Sequence, residues 1–402
     1  MKIDTGQPPK NVEWTVPDKI RVRQRRKLRK WWLNLHRWTA LSIGFLFVLL
    51  GLTGSLNVFR WEIDALLNPE LQIAEPKGQY RSLEEIMHAA QAARPDCEGN
   101  WSLQWPENAS SLALVRCRET QSERWFSLKM IWVDPYTAAV MSNRTFGDFL
   151  TTWIYDLHWA LLLDETGHTI VGFLGVMLMI TLGTGLYLWW PGPRGLRKAL
   201  RIKLNASPER LIFDLHKSFG LCALPVLFVL AFSGVYLIFP EYVKPLVNLF
   251  SPMTPEPVEM VSVPTPGWVP IGIDEAVAIA RGVFPDGEPK WITIPNGQTG
   301  VYKVTMRRVD AGIAEWLNKT YGASGVAIDQ YSGDVLAVKD STRRSIGDLF
   351  LDVQWALHYG EALGLPGRIL WCIAGLLLLL LYITGIVRWM QKRRARKRRT
   401  NA

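Results

Sequence analysis

Four apolar runs divide the chain: Trp38 to Phe59, Thr169 to Trp190, Phe219 to Phe239 and Ile369 to Trp389. Each is near the ~20 residues that ~30 Å of hydrocarbon requires. A soluble fold would have to bury four such helices within 402 residues, so the pattern predicts a membrane-spanning helical bundle instead. Two polar stretches, about 62–168 and 240–365, separate the spans and carry a different rhythm. Each opens on a helix-like segment, Leu83 to Ala93 and Ile273 to Val283, followed by Pro-Asp at Pro95-Asp96 and Pro285-Asp286. Alternating strand-like runs come next, such as Trp125 to Val133 and Val301 to Arg307. Each closes on a hairpin phrase, Val133-Asp134-Pro135-Tyr136-Thr137 and Ile328-Asp329-Gln330-Tyr331-Ser332. These stretches predict two small α+β domains outside the bilayer.

Charge orients the bundle. The formal net charge is +10, which on its own points toward nucleic acid. Its location excludes that partner: basic residues crowd Lys19–Lys30, Arg194–Lys203 and Arg388–Arg399, all flanking spans. The positive-inside rule makes that face cytoplasmic, with both termini inside. The first apolar run is too long and too far from Met1 for a cleavable signal, so an uncleaved anchor is expected. Trp31-Trp32 and Trp189-Trp190 fall where an interfacial aromatic belt belongs. The expected segmentation is a basic tail at 1–35, a first span at 36–61 and an external domain at 62–145. An interfacial helix plus second span follows at 146–190, a basic loop at 191–214 and a third span at 215–240. A second external domain at 241–345, an interfacial helix plus fourth span at 346–390 and a basic tail at 391–402 complete it. Cys97 and Cys117 lie outside, where a disulfide is permitted, while Cys222 and Cys372 read as packing residues within spans.

The chain also repeats itself. A constant shift of 180 places Leu35-His36-Arg37 on Leu215-His216-Lys217, Thr53-Gly54 on Ser233-Gly234 and Phe59 on Phe239. A shift of 200 places Gly147-Asp148 on Gly347-Asp348, Leu157-His158 on Leu357-His358, and Gly167 on Gly367. It continues through Gly175 on Gly375 and Thr184-Gly185 on Thr384-Gly385. Such matches predict a four-span bundle made of a duplicated two-span repeat, a common membrane architecture.

Four of the six histidines occupy equivalent positions in the repeat. His36 and His216 open the first and third spans; His158 and His358 precede the second and fourth. Ionisable residues at membrane depth are costly and usually functional, and neutral imidazole is a good iron ligand. Pseudo-symmetry pairs His36 with His216 and His158 with His358, the arrangement of two bis-histidine haems. No Cys-x-x-Cys-His occurs, so the haems would be non-covalent, of b type. Gly54 lies eighteen residues after His36, and Gly234 eighteen after His216, about five turns or ~27 Å along the same helix face. Gly54, Gly234, Gly185 and Gly385 are therefore expected to make room for the opposite haem. Arg37 and Lys217 stand beside their histidines as propionate partners or as ordinary positive-inside residues. His168 and its counterpart Arg368 are further propionate candidates, and His168 is an alternative ligand in place of His358. His88 reads as a solvated helix residue.

With these features in view, the chain resembles the PepSY-associated transmembrane family of bacterial inner-membrane proteins. The likeness rests on the Leu-His openings, the Thr/Ser-Gly span endings and the Asp-x-Tyr-Ser/Thr phrases, over roughly residues 30–390. It implies PepSY-like external domains on the periplasmic side. It also implies a ferric-siderophore reductase, with electrons entering from the cytoplasm and ferric siderophore reduced in the periplasm. Relatives with fused flavin domains exist; this chain carries no Gly-x-Gly-x-x-Gly fingerprint in a suitable context, so the donor is expected to be a separate cytoplasmic reductant or a quinol. Trp101, Trp105, Trp125, Trp291 and Trp316, with Arg116, Arg118, Arg307 and Arg308, are the aromatic and cationic residues of the external face, equally readable as sheet packing. Competing functions are a haem reductase for another acceptor, a non-enzymatic regulator that binds a peptidase or sensor, and a transporter. Against transport, the spans lack intramembrane Asp, Glu or Lys and hold mid-span proline only at Pro225.

Overall fold

The chain is described by a computed structural model covering residues 16–400, other than 74–77, 120–125, 196–198, 200, 255–259, 265–266, 310 and 318–321. Its helices are α1 (Val16–Asn57), α2 (Arg60–Leu67), α3 (Leu83–Ala93), α4 (Leu150–Ala160), α5 (Asp164–Trp189) and α6 (Pro208–Ile238). They continue with α7 (Pro240–Asn248), α8 (Ile273–Val283), α9 (Ile313–Leu317), α10 (Ile346–Asp352), α11 (Gln354–His358) and α12 (Gly364–Thr400). Among the described residues four helical stretches are long and apolar enough to cross a membrane: Arg26–Asn57, Asp164–Trp189, Pro208–Ile238 and Glu361–Thr400. Only 22–33 % of the most apolar part of each is buried within the molecule. Apolar side chains that the protein itself leaves uncovered need lipid, so this is a multi-pass membrane protein. The helices α1 and α12 run well beyond their apolar cores because Arg, Lys and Leu are good helix formers.

Two compact units share the four long helices. One comprises Met1–Phe47, Met177–Leu224 and Leu380–Ala402; the other comprises Val48–Val176 and Pro225–Leu379. In the second unit α1 crosses α12 on small residues: a Cβ on Gly51 would stand 2.6 Å from the Gly375 carbonyl oxygen, and Ser55 Oγ donates to Cys372 O at 2.9 Å. Just ahead of α5 the chain folds back sharply. Leu161, Leu162 and Asp164 have φ of 52°, 58° and 52°, a left-handed conformation costly for side chains. Gly360 and Gly364, at φ of 74° and 62°, take the corresponding corner before α12. A Cβ on Gly167 would collide with Ala160 O, so the corner closes only with glycine there. This corner sets His158 at the end of α4, two residues before the turn.

The two polar segments form one antiparallel sheet of β1 (Gly99–Gln104), β2 (Ala113–Glu119), β3 (Leu128–Val133), β4 (Val140–Thr145), β5 (Gly287–Thr293), β6 (Val301–Arg308), β7 (Ser324–Asp329) and β8 (Val335–Lys339). Their order is β4-β3-β2-β1-β5-β6-β7-β8. The two expected α+β units, α3 with β1–β4 and α8 with β5–β8, join edge to edge: β1 pairs with β5, Leu103 opposite Ile292, so each half covers the other's open edge. A core shared by both halves lies on one face, with Val115, Ile131, Val304 and Ile328 packed under Ile86 and Met87 of α3 and Val277 of α8, while Leu114, Met130 and Trp132 belong to a second, smaller cluster. The hairpin phrases earn their spacing. Asp134 Oδ1 accepts from Tyr136 N and Asp329 Oδ1 from Tyr331 N, both at 2.8 Å, as Asx turns do. Each tyrosine hydroxyl then donates to a carbonyl of the preceding loop, Ala109 O at 3.0 Å and Gln298 O at 3.1 Å. Cys97 and Cys117 form a disulfide tying the end of α3 to β2.

The starts of α3 and α8 cap one another. Leu83 N donates to Asp274 Oδ2 at 2.9 Å, and Asp274 N donates to Glu84 Oε1 at 3.1 Å. Burial and the Glu84 carboxylate push Asp274 up to about 6, while Glu84 is held below its ordinary range: burial works upward, but hydrogen bonding with Asp274 outweighs it. A raised folded-state value means that Asp274 stabilises the fold when protonated and that this contribution is lost as pH rises through about 6. Thermal melts from pH 5 to 7 should therefore show wild-type stability falling relative to Asp274→Asn, whose amide still accepts from Leu83 N. Parallel pH profiles would sink the idea.

Candidate functional site: two histidine pairs

In the first unit, the start of the apolar part of α1 carries His36 and that of α6 carries His216, and their ring centres stand 6.5 Å apart. In the second unit, His158 lies in the last turn of α4 and His358 ends α11, with ring centres 6.2 Å apart. Every ring is anchored in the same way. His36 Nδ1 lies 3.0 Å from Thr184 Oγ1 and 3.0 Å from Thr181 O. His216 Nδ1 lies 2.9 Å from Thr384 Oγ1, His158 Nδ1 lies 3.0 Å from Thr53 Oγ1, and His358 Nδ1 lies 2.9 Å from Ser233 Oγ.

The hydroxyl protons decide which nitrogen is protonated. Each hydroxyl donates its one proton to a carbonyl three or four residues earlier in its own helix: Thr184 to Thr181 O, Thr384 to Leu380 O, Thr53 to Leu49 O and Ser233 to Val229 O, at 2.7–2.8 Å. Its oxygen can then only accept, so each histidine donates from Nδ1–H. The neutral ring keeps its free lone pair on Nε2, the state a metal ligand needs. Thr53, Ser233, Thr184 and Thr384 were visible in the repeat as the residues before the glycines, but nothing in spacing alone assigned them this part.

Gly54, Gly185, Gly234 and Gly385 lie against the histidine rings themselves: a Cβ would stand 2.9 Å from His158 Cε1, 3.2 Å from His36 Cε1, 3.1 Å from His358 Cε1 and 3.6 Å from His216 Cε1. Each Thr/Ser-Gly pair thus seats the imidazole of a neighbouring helix, the hydroxyl fixing the ring and the glycine admitting it.

These donor sets fit a haem. Two imidazoles sharing one iron, with Fe–N near 2 Å and the ring centre roughly 1.1 Å farther on each side, stand a little over 6 Å centre to centre. Both observed separations match, and two imidazoles complete an iron already held by four porphyrin nitrogens.

Other candidate residues have other partners. Lys217 Nζ is 2.9 Å from the buried Asp214 carboxylate, which also pairs with Arg210, so its charge is already matched. Arg368 binds Glu62 at 2.6 Å and donates to Val58 O just past the end of α1. His168 packs on Trp159, ring centres 5.1 Å apart, whereas His358 is the ring beside His158. Arg37 donates to Asn34 Oδ1 at 3.0 Å. On the sheet, Arg116 covers Trp291 at 4.4 Å, Arg118 covers Phe126 at 5.2 Å, Arg307 pairs with Glu288 and Arg308 with Asp286 and Asp340. Trp101 is buried, Trp316 is exposed and Trp125 lies outside the described residues. A cleft of about 280 Å³ beside the β1–β5 junction, with Tyr80, Trp105 and Arg281 on its walls, was not foreseen.

The family described as the PepSY-associated TM region matches residues 31–392. A comparison with curated proteins returned no match.

Proposed function

The chain belongs to the PepSY-associated TM region family, and from that premise we propose that it is a di-haem electron carrier of the bacterial inner membrane that reduces ferric-siderophore iron at the periplasmic face. Membership supports a membrane protein of the cytochrome b-like type. The observation that carries the haem reading is the paired geometry: two imidazoles per site at bis-histidine spacing, each with Nδ1–H tied off and Nε2 left basic. The reading treats the protein as a duplicated unit, one histidine of each pair from each half. The basic flanks support cytoplasmic termini, and the Cys97–Cys117 disulfide supports an oxidising compartment for the sheet.

A bound haem supplies a one-electron Fe(III)/Fe(II) couple. His36 and His216 would hold the iron of the haem on the cytoplasmic side, and His158 and His358 that of the haem on the periplasmic side. Thr184, Thr384, Thr53 and Ser233 keep each ring in its metal-binding tautomer and orientation. Electrons come from a separate cytoplasmic reductant or a quinol. At the periplasmic end one electron converts chelated Fe(III) to Fe(II), which hard oxygen ligands hold less tightly because its charge is lower.

An absorption spectrum of the purified protein, reduced and then mixed with ferric chelates beside a ferrous-specific trap, tests this. Reoxidation of a low-spin haem band in step with appearance of the ferrous complex is the expected result. Haem that no ferric chelate reoxidises would redirect the assignment to another acceptor; absence of haem would end it.

A further inference from the structure

The turn that follows each Thr/Ser-Gly pair carries a second message. Asn57 is 6 % exposed, and neither its Nδ2 nor its Oδ1 has a hydrogen-bond partner among the described residues. It lies three residues after Gly54 and four after Thr53, hence on the face of α1 that seats His158. In the other unit, Trp189 lies four residues after Gly185 on α5, and its indole Nε1 is buried without a partner. Arg388 lies three residues after Gly385 and four after Thr384 on α12; its Nη1 donates to Glu209 O at 3.3 Å and its guanidinium covers Phe213, while its Nε is buried without a partner. Three of the four seats therefore carry, one turn on, an unpaired buried donor. The fourth, Ser233-Gly234, is followed by the apolar Leu237 and Ile238.

Buried donors without partners are costly, and these three stand three or four residues after a glycine that seats a histidine ring, which points to an acceptor beside each seat. Indole and guanidinium are donors only, so what they face must accept. A b-type haem carries two carboxylates on one edge, acceptors of that kind. We propose that Asn57, Trp189 and Arg388 anchor the haem carboxylates, Trp189 and Arg388 at the His36–His216 site and Asn57 at the His158–His358 site. The inference rests on the di-haem reading. It moves the propionate contacts away from Lys217 and Arg368, which already hold carboxylates of the protein. It also makes the sites unequal: one edge meets a cation and an indole, the other a single neutral amide.

Haem transfer from the full-length protein in detergent to excess apomyoglobin tests the assignment. Two phases are expected, the faster from the His158–His358 site. Asn57→Leu should quicken the fast phase, and Trp189→Phe or Arg388→Gln the slow one, each by about tenfold or more, since a hydrogen bond to a charged acceptor is lost. Reconstitution with the haem dimethyl ester should erase the difference between variants and wild type, because esterified groups no longer present a carboxylate. A lipid phosphate as the acceptor would leave the variants' effect the same with either cofactor, which would overturn the proposal, as would unchanged phases in a haem-loaded protein. Haem-free Asn57→Leu should melt at or above haem-free wild type, because an unpaired amide is removed; a lower melting point would refute Asn57 as an unpaired donor. A wild type that binds no haem would overturn the di-haem reading itself, and this inference with it.

Discussion

Replacing His358 with alanine should remove about half of the haem and leave the remainder spectrally normal. The ring of His358 lies 6.2 Å from His158 and is fixed by Ser233, so its loss leaves one iron with a single imidazole. The His36–His216 pair lies in the other unit and keeps both its ligands and their hydroxyl partners. His216→Ala should give the mirror result. His168→Ala and His88→Ala are the controls, because His168 packs against Trp159 and His88 is exposed on α3. Haem-to-protein ratios for the four variants measure this directly. Full haem retention in His358→Ala would refute the pairing.

Gly54→Ala should be nearly as damaging as losing a ligand, while Gly385→Ala should be close to neutral. At Gly54 the new methyl would stand 2.9 Å from His158 Cε1, too near to be accommodated without moving the ring. Thr53, the adjacent residue, holds that ring by Nδ1, so it cannot slide away and keep its hydrogen bond. Disturbing a metal ligand's support costs roughly 10–100-fold in affinity, well beyond the ~1 kcal/mol of helix propensity that alanine gains over glycine. At Gly385 the methyl would meet His216 Cε1 at 3.6 Å, ordinary contact. Comparing haem content and midpoint potential in the two variants decides it; equal losses would show that the glycines act on something other than the rings.

The spans were legible because four apolar runs of bilayer length allow few other folds, and their ends alone slipped, since charged helix formers extend α1 and α12 past the hydrocarbon. The segments Leu83–Ala93 and Ile273–Val283 were readable from amphipathic periodicity and are α3 and α8 as written. The union of the two sheets was hidden: a strand's pattern records which face is buried, not whether its edge is shared. At the site, histidine spacing marked the residues but not the tautomer. That depends on where four hydroxyl protons go, and only backbone geometry tells. Which atom approaches the glycines was hidden for a related reason, since a small residue announces a close approach without naming its neighbour. The acids that pair with Lys217 and Arg368, Asp214 and Glu62, lie respectively three residues and several hundred residues away in sequence, and only the fold brings the second pair together.

The β1–β5 junction also bears on how the protein is made. About 180 residues separate the two strands, and α5 and α6 lie between them. At ~5–20 residues per second the ribosome needs roughly 10–40 s to deliver β5 after β1 has emerged. Throughout that interval the first half-sheet stands with Leu103 and its backbone edge unpaired, a surface that invites aggregation or capture by a chaperone. Completion of the sheet thus has to wait until two further helices have entered the bilayer, which ties the folding of the extramembrane domain to the order of membrane insertion.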